Sequence, residues 1–248
     1  MKKYYLFILF FISFNLVSAQ LSPQSKKITE KFFSEYEELE NRTPALKKKK
    51  GYTNYKELLE FLNNISTTHP DKISLKYIGE SSKGKKIPIM FLSNNSKNLQ
   101  KLNIWMQGGL HGDEPASTEA MLYLMHTLLN DSKYTYLLDK IDLAILPMAN
   151  IDGFLKNNRY AANGLDLNRD HTKLMAIETR LIKDAFVQFN PDVALDFHEY
   201  RPFRKDFAQL STFGICSAYD VMFHNSSNLN IPENIRIMID TLFTKNAK

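Results

Sequence analysis

The sequence predicts an α/β fold: a mixed β-sheet flanked by helices on both faces. Three observations carry this. From residue 102 onward, short apolar runs alternate with longer stretches of helical periodicity, the pattern of strands joined by crossover helices. Upstream, apolar runs at 73–78 and 87–92 are separated by a Gly-, Ser- and Lys-rich turn, which reads as an antiparallel hairpin at one side of the sheet. The 248 residues are 44% hydrophobic and 24% charged, which suffices for one domain with a substantial core and is unlike a disordered chain.

The first residues set the compartment. Lys2 and Lys3 form a basic start, residues 4–14 are apolar, and Val17-Ser18-Ala19 is a small-residue cleavage signal. Residues 1–19 therefore read as a signal peptide cut after Ala19, and the protein as secreted or periplasmic. The apolar stretch is too short to span a bilayer comfortably, so no stable membrane span is expected after cleavage. No cysteine lies near the cut, which argues against a lipid anchor. Lys2 and Lys3 account for two of the five net positive charges, leaving about +3, too few to argue for a nucleic-acid partner. Cys216 is the single cysteine, so no intrachain disulfide is possible; its apolar neighbours make it a small buried hydrophobe.

Residues 20–50 are a polar, helical N-terminal segment. Ile28, Phe32, Phe33 and Tyr36 fall at helical spacing, and the lysine run at 47–50 is a solvated linker or helix end. The domain proper occupies 51–248. Leu58, Leu59, Phe61 and Leu62 predict a helix with Thr53 or Asn54 as N-cap, ending at His69 because Pro70 disfavours helical geometry before it. Residues 102–106 are a buried central strand, 115–129 a helix and 141–146 a strand. The stretch 150–170 lacks periodicity; a loop this long inside a domain is usually functional. A helix follows at 171–189, then a short apolar strand at 193–197.

Chemistry concentrates at strand ends. The turn Gly108-Gly109-Leu110-His111-Gly112-Asp113-Glu114 follows the central strand and offers an imidazole and a carboxylate three residues apart, close enough to reach one ion. Alone this spacing is common on surface helices. The strand at 193–197 then delivers His198, and in α/β sheets ligands gather at the carboxyl ends of strands. Two His and one Glu, with a fourth position left open, are the ligand set of a catalytic zinc site. His126, His171 and His224 show no such company; His171 reads as a helix-start residue.

The ordered set Gly109-x-His111-x-x-Glu114, Asn150-x-Asp152-Gly153, Asp166-Leu167-Asn168-Arg169 and Asp196-Phe197-His198 resembles the zinc carboxypeptidase family over residues 108–200. The resemblance implies one zinc ion held by His111, Glu114 and His198. It implies that Asn168 and Arg169 hold a substrate's terminal carboxylate, for which a guanidinium fork is well shaped. Arg159 would polarise the scissile carbonyl, and Asp166 would orient a zinc-bound histidine such as His111. Each also has a purely structural reading: Arg169 as an ion-paired surface residue, Asp166 and Asn168 as turn formers, and Arg159 with Lys156 as a neighbouring cation. The family's general-base glutamate and capping tyrosine find no match in the 50 residues after His198. Glu199 should point away from the metal if His198 points toward it. Asp113 reads as a turn residue, and Glu233 lies in a poorly patterned stretch. The resemblance thus implies the N-terminal part of a catalytic domain, incomplete at its C-terminus. The expected function is a secreted metallocarboxypeptidase hydrolysing C-terminal peptide bonds through zinc-activated water. The alternatives are an N-acyl-amino-acid hydrolase like aspartoacylase or succinylglutamate desuccinylase, or a non-catalytic zinc or peptide-binding module. In every case the ligand is a peptide or N-acyl amino acid with a free carboxylate.

Overall fold

A computed structural model describes residues 42–94, 100–200 and 230–246. The expected signal peptide, the expected helix around Phe32, Cys216 and His224 lie outside the described residues. Residues 42–50 run in turns, and Lys48 of the lysine run is pinned to Glu57 at 2.6 Å. Helix α1 (Tyr55–Thr68) begins with a reciprocal capping box: Asn54 accepts from the Glu57 N–H while the Glu57 carboxylate accepts from the Asn54 N–H. Leu58, Leu62 and Ile65, spaced one turn apart, are its buried face. His69 caps its end, one residue before Pro70.

The sheet contains β1 (Ile73–Glu80), β2 (Lys86–Leu92), β3 (Leu102–Gln107), β4 (Ile141–Leu146) and β5 (Val193–Asp196), in the order β1-β2-β4-β3-β5. The β1–β2 and β2–β4 pairs are antiparallel, and β3 pairs parallel with both β4 and β5. From β3 the chain reaches β4 through α2 (Pro115–Asn130), α3 (Ser132–Thr135) and a 3-10 turn (Tyr136–Asp139). From β4 it returns past β3 to β5 through α4 (Ile151–Phe154), α5 (Leu167–Asp170) and α6 (Ile177–Phe189). These two crossovers run in opposite directions along the sheet. Right-handed crossovers therefore put α2 and α6 on opposite faces, as expected. On the α6 face, Trp105 packs edge-on to Phe186 at 5.5 Å, and Phe91 meets Phe189 at 5.8 Å. The last described element, α7 (Glu233–Asn246), bears Glu233 in its first turn, exposed.

Two expectations change, and one strand shows an unexpected exposure. The helix expected from residue 171 starts at Ile177, so His171 is not a helix-start residue. The cause is Asp170, which is buried and accepts hydrogen bonds from the Met175 and Ala176 N–H groups and the Thr179 hydroxyl. These bonds hold 171–176 in a turn through Leu174 at φ 54. The aperiodic stretch 150–170 is not one loop: α4 and α5 are single helical turns inside it, capped by Asn150 and Asp166. β5 is apolar but exposed, with Val193 at 39%, because it takes the outer position in the described sheet. We expect Asp170→Ala to cost about 3 kcal/mol, since it removes a charged acceptor from three donors at the start of α6; denaturant titration measures this.

Candidate metal centre

β3 and β5 are parallel neighbours, so their carboxyl ends lie side by side, and the chain leaving each carries a candidate ligand. Glu114 occupies the N-cap position of α2, with Pro115 pre-shaped for the first helical turn. The loop from Gly108 to Glu114 is tied to the loop after β4. Ala149 and Asn150 N–H groups donate to the Gly108 and Gly109 carbonyls at 3.0 and 2.9 Å, and the Thr118 hydroxyl donates to the Pro147 carbonyl at 2.7 Å. Gly112 and Gly153 bring the two backbones into direct contact: a Cβ on Gly112 would lie 2.1 Å from the Gly153 carbonyl carbon.

Within this frame the two histidines converge on one carboxylate. His111 Nδ1 is 2.9 Å from Glu114 Oε1, and His198 Nδ1 is 2.9 Å from Glu114 Oε2. One ligand atom from each residue lies within 4.8 Å of the others. The outward nitrogens also face carboxylates: His111 Nε2 is 3.2 Å from Asp166 Oδ1, and His198 Nε2 is 2.9 Å from Asp196 Oδ2. His111 and Glu114 are buried; His198 is the exposed member. Burial opposes the charge on Glu114, but hydrogen bonds from His111, His198 and the Glu199 N–H outweigh it and bring its carboxyl to about 2. Burial likewise opposes the charge on His198, yet Asp196 and Glu114 raise it to about 9. Two imidazole nitrogens and a carboxylate oxygen, with each imidazole backed by a second carboxylate, are a donor set that fits zinc.

Arg159 sits at the same cluster. Its Nε donates to Asp166 Oδ2 at 3.0 Å, and its Nη1 is 3.2 Å from His111 Nδ1 and 3.6 Å from Glu114 Oε1. Asn150 anchors its backbone, donating to the Arg159 carbonyl at 3.3 Å while accepting from the Gly153 N–H at 3.0 Å. Asn168 Nδ2 is 3.3 Å from His198 Nε2. Arg169 is not drawn in: it is exposed, and its guanidinium makes no hydrogen bond or ion pair among the described residues. Glu199 accepts from the Ala116 N–H at 2.5 Å, so its carboxylate is committed to the first turn of α2. Asp152 has a structural task, accepting from the Ser81 hydroxyl at 2.9 Å and the Lys83 N–H at 3.0 Å and so fixing the β1–β2 turn.

Neither Asp196 nor Asn150 had a role of its own in the sequence pattern. For Asp196 the signal was present: two residues before His198 in extended chain, it projects to the same side. For Asn150 there was none, since its partner is a backbone carbonyl.

Residues 58–200 match the family model described as zinc carboxypeptidase. The chain belongs to the zinc carboxypeptidase family. Over 176 residues it is 40% identical to a probable carboxypeptidase 2 of Arthroderma benhamiae, with 67% of this chain and 32% of that protein covered. It is 41% identical over 177 residues to carboxypeptidase 2 of Trichophyton rubrum, covering 67% of this chain and 31% of that one. The chain thus spans about a third of the length of these curated relatives. Among solved structures it is similar to carboxypeptidase A of Helicoverpa armigera, with a TM-score of 0.56 and 24% identity, covering 61% of this chain and 46% of the other. That likeness supports the mixed-sheet zinc carboxypeptidase fold.

Proposed function

We propose that His111, Glu114 and His198 hold one zinc ion, and that the centre serves an exported metallocarboxypeptidase acting on the last peptide bond of a peptide. The observation that carries this reading is the convergence of both Nδ1 atoms on opposite oxygens of Glu114, with each Nε2 facing a further carboxylate. When bound, zinc supplies a Lewis acid that acidifies water and polarises a carbonyl. Arg159, braced by Asp166, holds donors beside the cluster, where they meet negative charge growing on a carbonyl oxygen. Asn168 and Arg169 grip the terminal carboxylate; the uncommitted fork of Arg169 suits bidentate contact. Export rests on the signal sequence at 1–19. No described helix is long and apolar enough to cross a membrane.

The test gives the zinc-loaded chain a panel of free peptides and N-acyl amino acids. Peptide turnover that chelation removes and zinc restores is expected. Turnover of N-acyl amino acids alone overturns the peptidase reading, and zinc and peptide binding with no turnover makes these 248 residues a binding unit. Arg169→Ala is expected to raise KM about 30- to 100-fold, the worth of a charge-assisted pair, for substrates with a free carboxylate. For the same peptides amidated at the C-terminus it should change KM little.

Zinc binding also has a predictable pH dependence. His198 keeps its proton up to about 9 in the metal-free protein, and Glu114 stays ionised down to about 2. Zinc must displace the His198 proton at neutral pH. Apparent affinity should therefore rise about tenfold per pH unit toward 9 and then level off. Calorimetry in two buffers of different ionisation enthalpy, near pH 7.5 and above 9.5, reads the protons released.

A further inference from the structure

Resting on the zinc reading above, we propose that Asp196 is the positioning residue for His198: in the neutral ring it holds the one remaining proton on Nε2, so that Nδ1 is the unprotonated nitrogen aimed at the metal. Asp196 is well placed for this. It is the last residue of β5, paired in register with Gln107, and the next N–H, from Phe197, donates to the Gln107 carbonyl at 2.9 Å. The strand is thus pinned to β3 on both sides of the Asp196 Cα, and alternation turns Asp196 and His198 to one side. The 2.9 Å contact between Asp196 Oδ2 and His198 Nε2 follows.

Asp166 faces His111 in the same way, but the two carboxylates are not equivalent. Asp166 is shared with Arg159, whose guanidinium offsets its charge. The Asp196 carboxylate accepts from His198 alone among the described residues. The second neighbour of His198 Nε2 makes the role more than bracing. Asn168 Nδ2 lies 3.3 Å from that same nitrogen and carries only donor hydrogens. An unprotonated Nε2 would accept from Asn168, and the imidazole proton would then sit on Nδ1, facing Glu114 and blocking the metal. The closer and charged acceptor, Asp196, selects the opposite tautomer. Asp196 and Asn168 therefore compete for one nitrogen, and the outcome decides whether His198 is a ligand.

The experiment measures the zinc dissociation constant of the full chain by chelator competition, for wild type, Asp196→Asn, Asp196→Ala, and Asp196→Ala combined with Asn168→Ala. Asp196→Ala should weaken zinc binding about 10- to 100-fold, the usual consequence of losing a carboxylate behind a ligating histidine. Asp196→Asn, which keeps an acceptor but not the charge, should weaken it less. Removing Asn168 as well should restore part of the loss, because the competing donor is gone; a merely structural aspartate would not be rescued this way. Wild-type affinity in both Asp196 variants overturns the role of Asp196 and leaves the zinc reading intact. If Asp196→Ala does not fold, unchanged affinity in Asp196→Asn is enough to overturn it. A wild-type chain that binds no zinc overturns the zinc reading and this inference with it.

Discussion

His198→Ala leaves the purified chain without stoichiometric zinc. His111 and Glu114 come from one loop and can place only two donor atoms; the third arrives from a different strand, 84 residues beyond Glu114. Zinc held by a full protein ligand set is bound by roughly 10–16 kcal/mol, so each donor carries about 3–4 kcal/mol. Losing one weakens binding on the order of 100- to 1000-fold. Elemental analysis after gel filtration reads the result directly, and full zinc content in the variant would place the ion elsewhere. The chain should still fold, since Glu114 keeps His111 and the Glu199 N–H as partners and Asp166 keeps Arg159. Without metal, wild type and variant also differ in a pH-dependent way. His198 is raised from its ordinary 6.5 to about 9. Its ion pairs therefore stabilise the fold fully below about 6.5, and the benefit is lost as pH rises through about 9. The stability gap between wild type and variant should be widest near pH 6 and close above 9.

What could be read in the sequence divides along physical lines. The hairpin, β3, α2 and β4 were legible because each is a run of apolar residues at one clear period, bounded by Gly, Pro or Asn. His111 and Glu114 were legible because they follow a buried strand through a glycine turn. Their meeting with His198 required only that two strand ends be neighbours, which β3 and β5 are. The start of α6 was not legible, because Leu174 continues the helical period and only the burial of Asp170 takes it out of the helix. Arg169 was assigned by motif, but whether its guanidinium turns toward the cluster is a matter of rotamer, and the structure leaves it exposed. Asp152 stood in a motif that suggested chemistry; its hydrogen bonds to Ser81 and Lys83 are a long-range contact that no local spacing encodes.

Gly112→Ala should be the most damaging small substitution in the described chain. The difficulty is space. An added Cβ would lie 2.1 Å from the Gly153 carbonyl carbon, 2.2 Å from the Phe154 nitrogen and 2.5 Å from the Asn158 carbonyl oxygen, where ordinary contact begins near 3.4 Å. All three neighbours are backbone, so no side-chain rotation relieves the clash and one loop must move by more than an ångström. The two loops are bonded to each other through Ala149 and Asn150, and Asn150 also holds the Arg159 carbonyl. A shift that makes room for the methyl group therefore separates His111 and Glu114 from Arg159 and Asp166. We expect a cost of at least about 4 kcal/mol, the range reached by overpacking that cannot relax. In zinc titration, any folded fraction should bind more weakly than wild type. Gly164→Ala is the control: it has a left-handed φ of +82 but nothing within 4 Å of the new Cβ, so only about 1–2 kcal/mol of backbone strain is expected. Equal thermal midpoints for the two variants would show that the metal-bearing loop does not rest on the Asn150–Gly153 turn, and the steric basis for placing His111 against Arg159 would fall.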